Sequence, residues 1–323
     1  MLLWRSRRND ALVVYCAHDA IYSEAILKEF ERRSGLPVAI RFDTEATKSL
    51  GLTELIQREK DTPRCDVFWS NELLGMADLQ DRGLLEPYQG SGFARIPAAY
   101  KDPLGHWAGF AARFRVFIFN TEHLGPATTA DEIARQLQAP DLSRMAIAKP
   151  LFGTTLTHYA ALWQQRGAEA TQAWHRDWRR RGIREVGGNA AVKDLVASGA
   201  CVLGLTDTDD FFAAKDAGRP VAALPVQLAD GATICIPNTV GIIRGARHPA
   251  AARQLVDYLL SADTELALAR SASRQVPLGP VEADKLPAEV RAMLPWVAEG
   301  VPLSGLSAAR AECLAWLRAE LAR

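Results

Sequence analysis

No stretch of 18 or more apolar residues occurs in the chain, so a membrane-spanning helix is not expected. No sign of charge prevails either. Lys and Arg total 38, as do Asp and Glu, and the basic excess usual in nucleic-acid-binding proteins is missing. The chain has no GxSxG, no Walker A sequence, no HExxH and no GxGxxG after the first strand, which removes the usual hydrolase, NTPase, metalloprotease and dinucleotide signatures. The five cysteines (Cys16, Cys65, Cys201, Cys235 and Cys313) are far apart, with no CxxC and no zinc spacing. A disulfide framework is not expected, and Cys16, Cys201 and Cys235 sit in apolar runs that read as buried. No internal repeat and no low-complexity segment is found. The first ten residues are basic in part but lack an apolar core, so they do not read as a secretory signal.

What is present is an alternation of strand and helix patterns. The length of 323 residues favours two domains, and the 48% hydrophobic and 24% charged content is that of a globular protein. Residues 11–16 form a continuous apolar strand of the kind buried on both faces, followed at once by His18 and Asp19. Helical spacing over 22–35, stopped by Gly35, and a strand at 37–42 complete a βαβ unit. A helix over 44–60, a strand at 66–69, a helix over 73–84 and a closing strand at 85–88 extend it into one doubly wound lobe. Ser70 and Asn71 follow the 66–69 strand as cap candidates, and Glu72 reads as a first-turn residue.

Residues 89–106 read as loop, and 107–120 as a strand far longer than the usual 5–6 residues or so, suited to running from one domain into another. A second series follows: helices over 128–137, 156–167, 168–181 and 189–199, with strands at 144–148 and 200–203. Strands at 221–226, 232–237 and 239–243 lead back. Helices over 248–261, 264–271 and 307–323 finish the chain, with Pro277, Pro280 and Pro287 marking a loop between the last two.

Three features of the second series carry chemistry. A buried strand ends in Thr206, Asp207, Thr208, Asp209 and Asp210, which puts carboxylates and hydroxyls at the carboxyl edge of a sheet, where α/β proteins bind ligands. Helix capping accounts for some of these residues, not comfortably for all. Gly153-Thr154-Thr155 and Gly187-Gly188-Asn189 each open a helix, an arrangement that serves either as a plain cap or as an anion site. Arg113 and Arg115 alternate inside an apolar strand and must be paired or face a wet cleft. Trp174 and Trp178, four apart, read as helix packing.

Five segments in this order resemble one family. They are Val13-Val14-Tyr15, Asp66-Val67-Phe68-Trp69, Gly83-Leu84-Leu85 with Pro87, Trp107-Ala108-Gly109 through Arg113-Phe114-Arg115-Val116 to Asn120, and Ile236-Pro237-Asn238-Thr239-Val240 with Gly245 and His248-Pro249. The pattern is similar to the type II periplasmic solute-binding proteins of ABC transporters, in the ferric-iron-binding branch. The resemblance implies an α/β protein of two doubly wound lobes joined by crossing hinge strands. The expected division is 11–112 plus 232–275 for one lobe, 113–231 for the other, and C-terminal helices in 276–323 packing across both.

The resemblance also implies an extracytoplasmic, monomeric binding component of an importer, periplasmic or membrane-anchored, whose export signal would lie upstream of Met1. It would clamp a small ligand between the lobes and hand it to a membrane permease, without chemistry of its own and without nucleic acid. The family's tyrosine pair falls on Asp209 and Asp210, its strand-one ligand on His18 or Asp19, and its glutamate on Asn71, beside Trp69 and Ser70. Its anion position falls on Gly153, Thr154 and Thr155 with Asn189 and Arg113. No phenolate stands at the pair position. The expectation is therefore a small phosphate, phosphonate or carboxylate ligand, or ferric iron with an anion, with any metal at Asp209, Asp210 and His18. The alternative is a metal-assisted hydrolase or transferase using Asp207, Asp209 and Asp210.

Overall fold

The computed structural model describes residues 11–43, 50–301 and 306–322. The first ten residues, the opening of the 44–60 helical pattern and Arg323 lie outside them. The chain folds as two compact units. Unit 1 takes the described residues of Met1–Ala112 with Pro237–Ser271 and Gln275–Leu294, and unit 2 takes Arg113–Ile236, Ala272–Arg274 and those of Pro295–Arg323.

Unit 1 begins with β1 (Leu12–Cys16), α1 (Ala20–Ser34) and β2 (Val38–Phe42). Helix α1 ends where expected: Gly35 adopts φ 72°, which costs a glycine nothing, and its N–H caps the Glu31 carbonyl. Next come α2 (Leu50–Arg58), β3 (Val67–Ser70), α3 (Leu74–Asp81), β4 (Leu85–Glu86) and the short α4 (Ser91–Arg95). The long strand β5 (Ala108–Asn120) contains the break between the units, after Ala112. Ala111 holds a left-handed φ of 44°, an unfavourable backbone for a residue with a Cβ. It is held by Glu265, which accepts from its N–H at 3.0 Å, and by the Asn238 amide, which donates to its carbonyl at 2.5 Å.

Unit 2 continues with α5 (Thr121–Leu124), α6 (Ala130–Gln138), β6 (Met145–Ala148), α7 (Gly153–Arg166) and α8 (Ala168–Arg180). Then follow β7 (Arg184–Val186), α9 (Asn189–Ala197), β8 (Leu203–Asp207), α10 (Thr208–Asp216) and β9 (Val221–Pro225). Strand β10 (Cys235–Ile243) returns to unit 1, followed by α11 (Pro249–Leu259), α12 (Ala262–Arg270) and α13 (Ala288–Ala298), within which the division falls after Leu294, and α14 (Leu306–Leu321) ends the described chain in unit 2.

In unit 1, β1 pairs in parallel with β2 and β3, while β10 runs antiparallel to β3 and β4. Tyr15, Phe68, Met76, Leu79, Leu85 and Ile243 form a core on this sheet. In unit 2, β6 pairs in parallel with β7 and β8, and β5 runs antiparallel to β8 and β9. Ile118, Ala146, Val192, Val196, Cys201 and Ala214 pack there. Parallel strands buried on both faces explain why β1, β3, β6 and β8 read as unbroken apolar runs. The five cysteines are buried free thiols, and no helix of the described residues is long and apolar enough to cross a membrane.

Several expectations need correction. Residues 232–236 group with unit 2, because Ile234 accepts from the Arg115 N–H at 3.1 Å and Thr233 pairs with Glu299. Residues 276–294 group with unit 1: Ala112 and Val276 exchange two backbone bonds of 2.7 Å, and Glu265 accepts from Leu278 and Gly279. The segments 232–237 and 239–243 are largely one strand, since Asn238 is buried and pairs inward rather than breaking the ladder. Helix α13 was hidden by its flanking prolines; Pro287 precedes it and Pro295 lies within it.

Candidate functional site

The carboxyl edge of the unit 2 sheet collects three helix starts. Helix α7 follows β6, α9 follows β7 and α10 follows β8, and these three strands are neighbours. Each helix leaves first-turn N–H groups without intrahelical partners and points its positive dipole end at this edge. The N-cap residues are Phe152, Gly188 and Asp207, and none makes a side-chain capping bond. Plain capping is therefore not the use of Thr154, Thr155 and Asn189.

Their side chains are engaged with Asp207. Strand register sets Arg115 directly opposite Asp207, and Arg113, two residues earlier, lies on the same face of β5. Asp207 Oδ1 accepts from Arg115 Nη1 at 2.7 Å. Asp207 Oδ2 accepts from Thr154 Oγ1 at 2.7 Å, Asn189 Nδ2 at 3.0 Å and Arg113 Nε at 3.4 Å. Asn189 also donates to Thr154 Oγ1 at 2.8 Å, and its Oδ1 accepts from Thr155 at 3.3 Å and Arg115 Nη1 at 3.2 Å. Asp207, Arg113, Arg115 and Thr154 are all buried, Arg115 completely. Burial works against ionisation of Asp207, but Arg115 and then Arg113 outweigh it and hold the carboxyl below its ordinary value.

Asp210 responds in the opposite sense. Burial, then the charges of Asp209 and Asp207, push it up to about 8, against the Thr206 hydroxyl that donates to it at 2.8 Å. Asp209 lies 3.9 Å from Arg113 Nε, and its Oδ1 accepts from the Asp210 N–H at 3.1 Å. The three carboxylates can each place one oxygen within 4.8 Å of the others. Oxygen donors of this kind suit a hard cation.

The structure thus brings Arg113, Gly153, Thr154, Thr155, Asn189, Thr206, Asp207, Asp209 and Asp210 to one sheet edge. The helix starts that the resemblance assigns to an anion, Thr154 and Asn189 with Arg113, bond the chain's own Asp207 here. Arg115, the strongest partner of Asp207, stood out in the sequence only as a charge in a strand that had to be paired or face a wet cleft.

The remaining expected residues belong to unit 1, and Trp69, His18 and Asp19 join a chain of hydrogen bonds. Trp69 Nε1 donates to Asn238 Oδ1 at 3.2 Å, and Asn238 Nδ2 donates to Gln275 Oε1 at 2.8 Å. Gln275 Nε2 lies 2.6 Å from His18 Nε2, and His18 Nδ1 lies 3.3 Å from the Asp19 carbonyl. A carbonyl only accepts, so Nδ1 carries the proton and the Nε2 lone pair receives the Gln275 amide. His18 would ligate a metal through Nε2 only by releasing Gln275. The His18 and Trp69 rings lie 5.3 Å apart. Ser70 Oγ accepts from the Glu72 N–H at 3.4 Å, and Asn71 is buried. Helix α3 is capped by Glu72, whose carboxylate accepts from the N–H groups of Leu74 and Gly75, rather than by Ser70 or Asn71. Gln275 gave no signal in the sequence, and Asn238 appeared only within the 236–240 segment of the resemblance, with no role attached, since single amides have no distinguishing spacing. A cavity of about 530 Å³ in unit 1 is an open groove lined by Glu54, Gln57, Arg58, Lys60, Arg82 and Leu84, none of them a candidate site residue.

Residues 12–271 match the model of the family described as bacterial extracellular solute-binding protein. The chain belongs to that family. A relative is the Fe(3+)-binding periplasmic protein of Serratia marcescens, 25% identical over 166 residues, which are 51% of this chain and 48% of that protein. The matched region thus spans about half of that relative's length. Among solved structures, the apo ferric ion-binding protein A of Pasteurella haemolytica superposes with a TM-score of 0.84 at 18% identity, covering 97% of this chain and 98% of that one. The periplasmic binding protein AfuA of Actinobacillus pleuropneumoniae, bound to exogenous fructose-6-phosphate, gives a TM-score of 0.75 at 18% identity, covering 97% and 98%. At such identities the likeness is one of fold.

Proposed function

We propose that this solute-binding family member is the extracytoplasmic binding component of an ABC importer and delivers its cargo to a membrane permease. The cargo is a hard metal ion, of which ferric iron is the first candidate. The observation that carries this reading is the convergence of Asp207, Asp209 and Asp210 oxygens within 4.8 Å. Asp209 and Asp210 stand where the resemblance places a tyrosine pair, and carboxylates replace phenolates as anionic oxygen donors there. The Serratia relative, an Fe(3+)-binding protein by name, supports the choice of metal. Two buried guanidiniums offset Asp207, and Asp209 and Asp210 add two further carboxylates beside it. The protonated Asp210 would give up its proton as the cation arrives.

A small oxyanion is the second reading, favoured by the sugar phosphate bound to AfuA. The engagement of Thr154 and Asn189 by Asp207 weighs against it. The reading assigns no turnover, in keeping with the Serratia relative, a binding protein by name.

The test is a melting series with ferric iron supplied as a chelate, with manganese and magnesium, and with phosphate and fructose-6-phosphate. A cargo present at about 100 times its dissociation constant adds about 2.7 kcal/mol of stability. The expected outcome is stabilisation by a metal in the wild type and its loss in Asp209→Asn and Asp210→Asn. Stabilisation by phosphate esters alone, or equal metal responses in wild type and variants, overturns the reading.

A further inference from the structure

We infer that Asp207 is a built-in anion: it fills an oxyanion cradle in unit 2 and thereby excludes free oxyanions such as phosphate and sulfate from it. The inference rests on the cradle's own geometry and holds whatever the cargo is.

The cradle is complete without Asp207. Its walls are Thr154 and Thr155 in the first turn of α7, Asn189 in the first turn of α9, and two guanidiniums from β5. Hydroxyl, amide and guanidinium donors at helix N-termini are the usual surroundings of a bound oxyanion. In this chain the negative group among them is a side chain, anchored at the end of β8 and itself the N-cap of α10.

The carboxylate fits this cradle incompletely. Arg115 bonds it through Nη1, where a guanidinium fork is shaped for two parallel bonds. Three donors crowd onto Oδ2 while Oδ1 takes one strong bond. Arg115 is fully buried, yet its Nε and Nη2 have no hydrogen-bond partner among the described residues. Buried guanidinium donors are rarely left unmet. A tetrahedral oxyanion, with four oxygens and free rotation, would spread over separate oxygens the three donors that share Oδ2. With Asp207 present, an incoming phosphate meets a buried carboxylate already bonded to the same donors, with Asp209 beside it. Asp207 is thus a specificity-determining residue: it supplies the negative charge that the two arginines require and closes the cradle to anions from solution.

The experiment is calorimetric titration of the full chain with inorganic phosphate and with sulfate, in wild type, Asp207→Ala and Asp207→Asn. The wild type is expected to take up neither anion measurably. Asp207→Ala empties the cradle and is expected to bind phosphate at least about 10-fold more tightly than wild type, a change of about 1.4 kcal/mol. A second substitution, Thr154→Val or Arg115→Met, in that background is expected to abolish the gain. If Asp207→Ala does not fold, Asp207→Asn decides the matter. Its amide keeps the shape but removes the charge, so phosphate is expected to raise its melting temperature more than that of wild type. Phosphate binding by wild type that is lost in Thr154→Val overturns the inference. So does a folded Asp207 variant with no gain for either anion. Because the readout is phosphate and not metal, failure of the metal reading leaves it intact.

Discussion

Arg115→Met is the most direct probe of the pair at the centre of unit 2. The guanidinium is fully buried, its Nη1 lies 2.7 Å from Asp207 Oδ1, and the Asp207 side chain is 4% exposed. Removing one partner of such a pair leaves the other as an uncompensated buried charge and costs about 3–5 kcal/mol. Two effects reduce this. Arg113 still lies 3.4 Å from the carboxylate. Methionine also removes the two guanidinium nitrogens that have no partner, relieving a penalty of about 1–3 kcal/mol. The net expectation is about 3 kcal/mol, which for a unit of this size lowers the melting temperature by roughly 6–12 °C. The double variant Arg115→Met with Asp207→Asn restores neutrality and should cost less than the two single changes summed, by about 2 kcal/mol, since residues in one network couple by about 0.5–3 kcal/mol. Scanning calorimetry on the four proteins at neutral pH closes the cycle. Additivity within about 0.5 kcal/mol would refute the claim that these residues act as a pair.

Two further outcomes follow from the same site. The Asp210 carboxyl is pushed up to about 8, by burial and then by Asp209 and Asp207, with Thr206 and Lys193 opposing the shift. Its folded value lies above its unfolded one, so its contribution to stability is complete below about pH 4 and is lost as pH rises through about 8. Wild type should lose melting temperature relative to Asp210→Asn from pH 5 to pH 9, since Asn stays neutral throughout, and a constant difference would contradict the assignment. Gly204 lies in β8 beneath α9, and a Cβ there would stand 2.5 Å from Val192 Cγ1 and 3.1 Å from Val196 Cγ2. Gly204→Ala should cost about 1–3 kcal/mol by overpacking, measured by urea unfolding, and an unchanged midpoint would show that α9 shifts freely.

The order of strands and helices was legible because buried parallel strands produce unbroken apolar runs, as at 11–16 and 200–203. Helix boundaries marked by glycine were legible for the same local reason, as at Gly35. Proline misled where it sat in or beside regular structure: α13 was hidden by Pro287 and Pro295, and β10 was split at Pro237-Asn238. The candidate residues at the ends of β6 and β8 and at the start of α9 were legible as polar groups following apolar strands. Their use was not. Thr154 in the first turn of a helix looks the same in sequence whether it caps the helix, meets an anion or bonds Asp207.

What the sequence determined by itself, then, is everything governed by neighbours along the chain: the apolar runs, the helix starts, the requirement that Arg113 and Arg115 find a partner. Tertiary structure decided which partner. The register of β5 against β8 sets Arg115 opposite Asp207, and the adjacency of β6, β7 and β8 delivers Thr154 and Asn189 to the same carboxylate. The surroundings then separate neighbouring aspartates: burial with Asp209 and Asp207 raises Asp210, while two guanidiniums hold Asp207 charged against its own burial. Ionisation depends on charges that are close in space, and the residues supplying them lie up to 94 positions away in the chain.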